Sequence, residues 1–159
     1  MIDEISLKIL TILQERARIP NVEVARQVDM APSAVLERIR KLEKQGYILG
    51  YEVRLNPKKF KRNLVAFVTI DTETKDGEID IGESLSKISE IQEVHHIAGE
   101  DGFLIKVRVS DTTELGRLIR KRIQSLPFVR ATRTTIAMAT YKETARIPID
   151  EDADQVKER

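Results

Sequence analysis

Residues 19 to 50 read IPNVEVARQVDMAPSAVLERIRKLEKQGYILG, and this stretch decides the fold of the first third of the chain. Val22, Val24, Ala25 and Val28 form an apolar stripe at helical spacing. Asn21 stands where an N-cap side chain would accept a free N–H of the first turn. Asp29 and Met30 make a turn, with Met30 plugging inward. Pro32 opens a second helix, where a missing N–H leaves nothing unsatisfied. Val35, Ile39 and Leu42 recur at i, i+4 and i+7 and give that helix its core face. Gly46 ends it as a C′ glycine does. Small Ala25 allows the two helices to cross closely. The pattern predicts a helix–turn–helix.

The second helix shows Ser33, Ala34, Leu36, Glu37, Arg38, Arg40 and Lys41 on its outer faces. Burying a core needs no such crowding of cations, whereas a helix that enters the major groove of DNA does. Arg pairs bidentately with guanine edges, while Lys and Ser more often hold phosphate. With Asn21 and Pro32 at the starts of the two helices, these residues are the candidate DNA-binding set. Lys58, Lys59, Lys61 and Arg62 follow soon after.

Working outward, a first helix is expected from about Asp3 to Arg18, with Ile5, Ile9, Ile12 and Leu13 on a broad apolar face. Tyr47 to Leu55 alternates and reads as a strand. The expected N-terminal domain is residues 1–56, followed by a basic linker at 57–63. Then the rhythm changes. Leu64 to Thr72 is a buried strand. Ile79 to Ile91 reads as a helix, Val94 to Ala98 as a strand, and Gly99 to Gly102 as a turn. Phe103 to Val109 alternates strictly. A helix capped by Asp111 or Thr112 runs to Ser125, and Val129 to Tyr141 is a long last strand. The order β-α-β-β-α-β over residues 64–143 predicts a ferredoxin-like domain, one antiparallel sheet with both helices on one face. The whole is α+β. The bare sheet face carries enough apolar residues to need a partner, so a homodimer is expected there. Residues 144–159 are acidic, have little to bury and read as a mobile tail.

The 159 residues are 41% hydrophobic and 33% charged, enough for one domain or two small ones with a real core. A net charge of +1 excludes a uniformly basic protein, so DNA attraction must come from local clustering. There is no cysteine, hence no disulfide and no cysteine-based zinc site. The first residues lack the basic start and apolar run of a signal peptide, and no stretch reaches the length of a membrane span. A cytoplasmic protein with no membrane partner fits.

Read as a series, Ile2-Asp3, Ile9-Leu10, Ala17-Arg18-Ile19, Ala25, Pro32-Ser33, Val35, Arg38-Ile39, Leu42-Glu43, Gly46-Tyr47-Ile48, Gly50-Tyr51, Leu126-Pro127 and Val129 resemble the leucine-responsive/asparagine-operon (Lrp/AsnC) family of regulators. The resemblance covers nearly everything up to Lys142. It implies a winged or plain helix-turn-helix domain that binds double-stranded DNA. It also implies a ferredoxin-like domain that forms dimers and a higher oligomer, such as an octamer, and that takes a free amino acid as effector. On that reading Gly99, Glu100, Asp101 and Gly102 form the effector turn, with Thr132 and Thr134 on one face of the last strand and Ile136 shaping the pocket. Three departures stand out. Ser6 replaces a usual second aspartate, Ala31 a common serine, and Gly102 occupies the family's aspartate position, with the acid one place earlier at Asp101.

Other chemistry is not expected. His95 and His96 are strand neighbours, which point to opposite faces and cannot chelate one metal together. Gly99 to Gly102 precedes a strand rather than a helix, so it is no phosphate loop and reads equally as a plain hairpin turn. Asp71, Glu73 and Asp76 have no acid–base partner, and no nucleophile stands with a base. No enzyme, cofactor or metal is expected. Two competing readings stay open: an architectural DNA-organising protein of low specificity, and a metabolite-sensing regulatory subunit of an enzyme.

Overall fold

The structure, a computed structural model, describes residues 2–73, 81–99 and 102–149. The chain divides into two compact units: residues 55–142, and residues up to 54 joined by those from 143 on.

The first unit holds three helices, α1 (Glu4–Glu15), α2 (Asn21–Val28) and α3 (Pro32–Lys44). Asp3 caps α1 by accepting from the Ser6 N–H at 2.8 Å. At α2 the N-cap position falls on Pro20, and no side chain caps the helix. Asn21 sits one residue too late to cap it, which corrects the sequence reading. Asp29 leaves α2 in the left-handed region (φ 52°), a conformation aspartate tolerates, and the Met30 N–H returns to the Ala25 carbonyl. Pro32 opens α3 as expected. At its far end Gly46 adopts φ 78°, and the Tyr47 N–H reaches back to the Leu42 carbonyl, a Schellman closure. The core joins Ile9, Leu13, Ile19, Val24, Ala25, Val28, Val35 and Ile39, with Ile12, Met30 and Ile48 packed on its margin. Val22, placed in the α2 stripe by its spacing, is instead 67% exposed, and Ile5 also faces outward.

Tyr47 to Leu55 forms no strand. The alternation is real, but a strand exists only through bonds to a neighbour, and no described segment pairs with it as a strand. Leu49 (97% exposed) and Val53 (82%) stand in solvent, while the Tyr51 hydroxyl donates to Glu43 at 3.0 Å and ties the segment back to α3. Burial and that bond push the Tyr51 phenol up to about 12. Beyond the last strand the chain returns to α1. The Gln14 amide donates to the Ile147 carbonyl (3.0 Å) and accepts from the Ile147 N–H (2.9 Å), and Arg146 donates to the Glu15 carbonyl. The expected free tail from residue 144 is therefore bound up to this point. Its acidic end from residue 150 lies outside the described residues.

The second unit begins with a 3₁₀ turn, Pro57–Phe60, inside the stretch read as a linker. Its sheet has strands β1 (Leu64–Thr72), β2 (Ile91–His96), β3 (Phe103–Val109) and β4 (Val129–Ile136), antiparallel in the order β2-β3-β1-β4. The helices are α4 (Ile81–Ser86) and α5 (Thr112–Leu118), the latter capped by Asp111 and continued by a π-helical turn, Ile119–Ile123. This is the ferredoxin-like plan. Ala66, Val68 and Ile70 of β1 and Ile105, Val107 and Val109 of β3 bury one sheet face against Leu85, Leu115, Leu118 and Ile123. Ile91 starts β2 rather than ending a helix, and β4 stops at Ile136, short of the expected Tyr141. The start of the expected helix, at Ile79, lies outside the described residues.

Candidate nucleic-acid interface

On α3, Val35, Ile39 and Leu42 are buried. A helix of 3.6 residues per turn then throws Ser33, Glu37, Arg40 and Lys44 onto the opposite side, and all four are exposed. Leu36 and Lys41 are exposed on the flanks, Ala34 is half-buried, and Pro32 is exposed at the helix start. Lys44 was missed in the sequence reading, although it follows Arg40 by one turn.

Arg38 does not belong to this stripe. It follows Val35 by three and precedes Leu42 by four, so the helix turns it towards the flank that α1 covers. Its guanidinium donates to the Asp3 carboxylate at 2.5 Å and to the Ser6 hydroxyl at 3.0 Å. Arg38 was expected to face outward; here it is half-buried and turned towards Asp3. Ser6, nearly buried, matters here: its side chain and N–H, together with Arg38, hold the Asp3 carboxyl down to about 2. No local pattern announces this contact, because Asp3 and Arg38 are far apart in sequence. Only the close packing of α1 on α3 joins them.

Of the described residues expected around an effector, Gly102 and Thr132 lie near one end of β1, Thr134 lies opposite its middle, and Ile136 lies towards its other end. Ile70 of β1 pairs with Phe103 on one side and Thr132 on the other. Gly102 and Thr132 thus flank β1 from two strands, on the order of 10 Å apart. Thr132, Thr134 and Ile136 sit opposite Ile70, Val68 and Ala66, so they share the helix-side face. Thr134 and Ile136 are nonetheless exposed, at the sheet edge, while the Thr132 hydroxyl accepts from the Gln124 amide at 2.9 Å. Gly99 has φ 133°, a conformation open to glycine. A Cβ on Gly102 would come within 2.6 Å of the Thr72 hydroxyl. Any side chain at this position would therefore require Thr72 to shift. Glu100 and Asp101 lie outside the described residues.

His96 stacks on Phe103 with ring centroids 4.9 Å apart, and His95 lies 3.5 Å from Glu93. Glu93 is held low chiefly by Lys106, which donates to it at 2.8 Å. No cluster of three metal-ligating side chains occurs among the described residues, and none of their helices is long and apolar enough to cross a membrane.

Residues 65–147 match the family model described as the Lrp/AsnC ligand binding domain, and residues 2–48 match one for a winged helix-turn-helix DNA-binding domain. The chain is 37% identical over 150 residues to the leucine-responsive regulatory protein of Escherichia coli K12, covering 93% of this chain and 92% of that one. The chain belongs to the Lrp/AsnC family. It is a DNA-binding transcriptional regulator by that membership; the helix-turn-helix match falls within the first unit, and the ligand-binding match spans most of the second and runs on to residue 147. A Neisseria meningitidis transcriptional regulator solved in complex with L-Met superposes with a TM-score of 0.87 at 27% identity, over 93% of this chain and 97% of that one. The Mycobacterium tuberculosis leucine response regulatory protein gives 0.80 at 30% identity, over 92% and 100%. The Lrp/AsnC match covers both the three-helix unit and the sheet, so it bears on DNA binding and on ligand binding alike.

Proposed function

We propose that this chain binds operator DNA as a symmetric homo-oligomer and that a free amino acid tunes that binding. The observation that carries the reading is the exposed stripe Ser33, Glu37, Arg40 and Lys44 on α3, opposite that helix's buried face, with exposed Leu36 and Lys41 on its flanks. Arg40 is placed to read guanine, Glu37 to accept from cytosine, and Ser33, Lys41 and Lys44 to hold phosphate. Arg38 leaves the set of base readers and becomes the brace that sets the pose of α3.

Assembly is supported by apolar surface that a lone chain leaves wet. Phe67, exposed, and Leu104, half-buried, lie on the outer sheet face, and exposed Leu49 and Val53 lie on the segment after α3. A second copy would cover them and give that segment a strand to pair with. Two-fold symmetry would then set two α3 helices on half-sites one helical turn, or a multiple, apart. The amino-acid effector is supported by the ligand-binding domain and by the L-Met complex of the Neisseria relative. The residues proposed to hold it are Gly99, Glu100, Asp101, Gly102, Thr132, Thr134 and Ile136. The experiment is selection of bound duplexes from a random pool, with and without mixed amino acids. Enrichment of a two-fold symmetric site whose yield changes with the amino acids supports the proposal. Recovery of unenriched DNA would favour an architectural role instead.

A further inference from the structure

Between Glu52 and Asp71 the chain has no carboxylate, yet it carries Arg54, Lys58, Lys59, Lys61 and Arg62. Four of these five cations crowd into one short turn, in a protein whose net charge is only +1. The turn is built rather than loose. The Asn56 side chain caps it by accepting from the Lys58 N–H at 3.0 Å, and Pro57 opens it. The Lys61 N–H closes on the Lys58 carbonyl, and the Arg62 N–H on the Pro57 carbonyl at 2.9 Å. Lys61 takes the left-handed conformation (φ 54°) that lets the chain turn away. Arg62 is then anchored on Glu114, whose carboxylate also accepts from the Ser110 N–H and hydroxyl. Those Ser110 bonds, with Arg62, hold the Glu114 carboxyl at about 2.

The pinned turn presents Lys58, Lys59 and Lys61 to solvent, none with an ion-pair partner among the described residues, around a Phe60 that is 59% exposed. Fixing three like charges on a rigid turn without a counter-charge is unfavourable, and an anion with several charges in a row removes the cost. A 3₁₀ turn advances about 2 Å per residue, so Lys58 and Lys61 lie roughly 6 Å apart along it. One DNA strand carries a phosphate about every 3.4 Å of axis, so the pair spans about two phosphates. Twelve residues separate Lys44, the end of α3, from Pro57, and extended chain of that length reaches up to about 40 Å.

We propose that the turn Lys58–Arg62 is a second DNA contact, outside the helix-turn-helix domain, in which Lys58, Lys59 and Lys61 bind backbone phosphates flanking the half-site. The proposal rests on the DNA-binding reading above and adds a sequence-independent anchor to it. Such a contact releases counterions, so each lost lysine lowers the slope of log K against log salt by about 0.9. Base discrimination stays with α3.

The test compares the full-length protein with a Lys58→Gln, Lys59→Gln, Lys61→Asn variant, asparagine being chosen because it tolerates the left-handed conformation. Binding is followed against salt concentration on the selected duplex with flanks, and on random duplex of equal length. The expected result is a slope smaller by about 2 to 3, equal loss of affinity on both duplexes, and recovery of the slope when all three lysines are replaced by arginine. Tight binding with an unchanged slope would overturn this proposal alone. So would a loss confined to the selected duplex. Failure of the unaltered protein to bind any duplex would overturn the DNA-binding reading as well.

Discussion

The two units of this protein place their candidate sites in opposite ways. In the three-helix unit the residues proposed to face DNA lie on one continuous helix, α3, so sequence spacing and spatial position are nearly the same thing. In the sheet unit the residues proposed to face an effector come from a β2–β3 turn and from β4, with β1 running between them. A site on one helix tolerates changes elsewhere, because the helix carries it whole. A site spread over several strands depends on the side chains between them, and here Thr72 of β1 stands against Gly102.

That dependence predicts the largest stability effect. Gly102→Asp should destabilise the sheet unit by about 1–3 kcal/mol, the usual cost of overpacking, because its Cβ meets the Thr72 hydroxyl at 2.6 Å. Combined with Thr72→Ala the loss should shrink, giving a clear coupling energy in a double-mutant cycle of denaturant unfolding. Strict additivity would mean that Thr72 is not the obstacle.

The corresponding change in the helical unit is smaller. Arg38→Ala removes a partly exposed pair with Asp3 and a bond to Ser6. About 1 kcal/mol of stability should go, since solvent screens much of the pair. Asp3→Asn should cost no more, and the two changes together little beyond either alone. A loss of several kcal/mol would make the brace far stronger than its exposure allows.

Acid sharpens the comparison, because each unit carries a carboxyl held at about 2 by its partners: Asp3, moved from 3.8, and Glu114, moved from 4.5. Both take up protons more readily when the chain is unfolded. Their stabilisation is therefore complete above about pH 5 and is lost as pH falls towards 2. Hydrogen exchange read separately for α1–α3 amides and sheet amides should show Asp3→Asn flattening the acid response of the helices only, and Glu114→Gln that of the sheet only. Either substitution changing both units equally would contradict the assignment.

The same contrast governs what could be read from sequence. The helix–turn–helix, the Pro32 start, the Gly46 stop and the β-α-β-β-α-β order follow from local periodicity and end signals, and they are found in the structure. Arg38 was misplaced because a basic residue on a helix reads as solvent-facing until its neighbour is known, and that neighbour lies at Asp3. Tyr47–Leu55 has the alternation of a strand, but alternation does not supply a second strand. The Gln14–Ile147 bonds escaped for the same reason, since an amide that grips a backbone leaves no sequence pattern. For the effector region, the family pattern located the turn, whereas the role of Thr72 needed the strand register.

On the proposed reading α3 divides its arginines: Arg38 bonds to Asp3 and Ser6 of the α1 end, and Arg40 contacts DNA. The most direct test is the ratio of affinities for a selected operator and a random duplex, measured in one buffer for the unaltered protein and for each Ala variant. Arg40→Ala should lower that ratio by on the order of 10- to 100-fold, the worth of one guanine contact, while folded Arg38→Ala protein keeps it. A ratio that collapses with Arg38→Ala and survives Arg40→Ala would contradict the account.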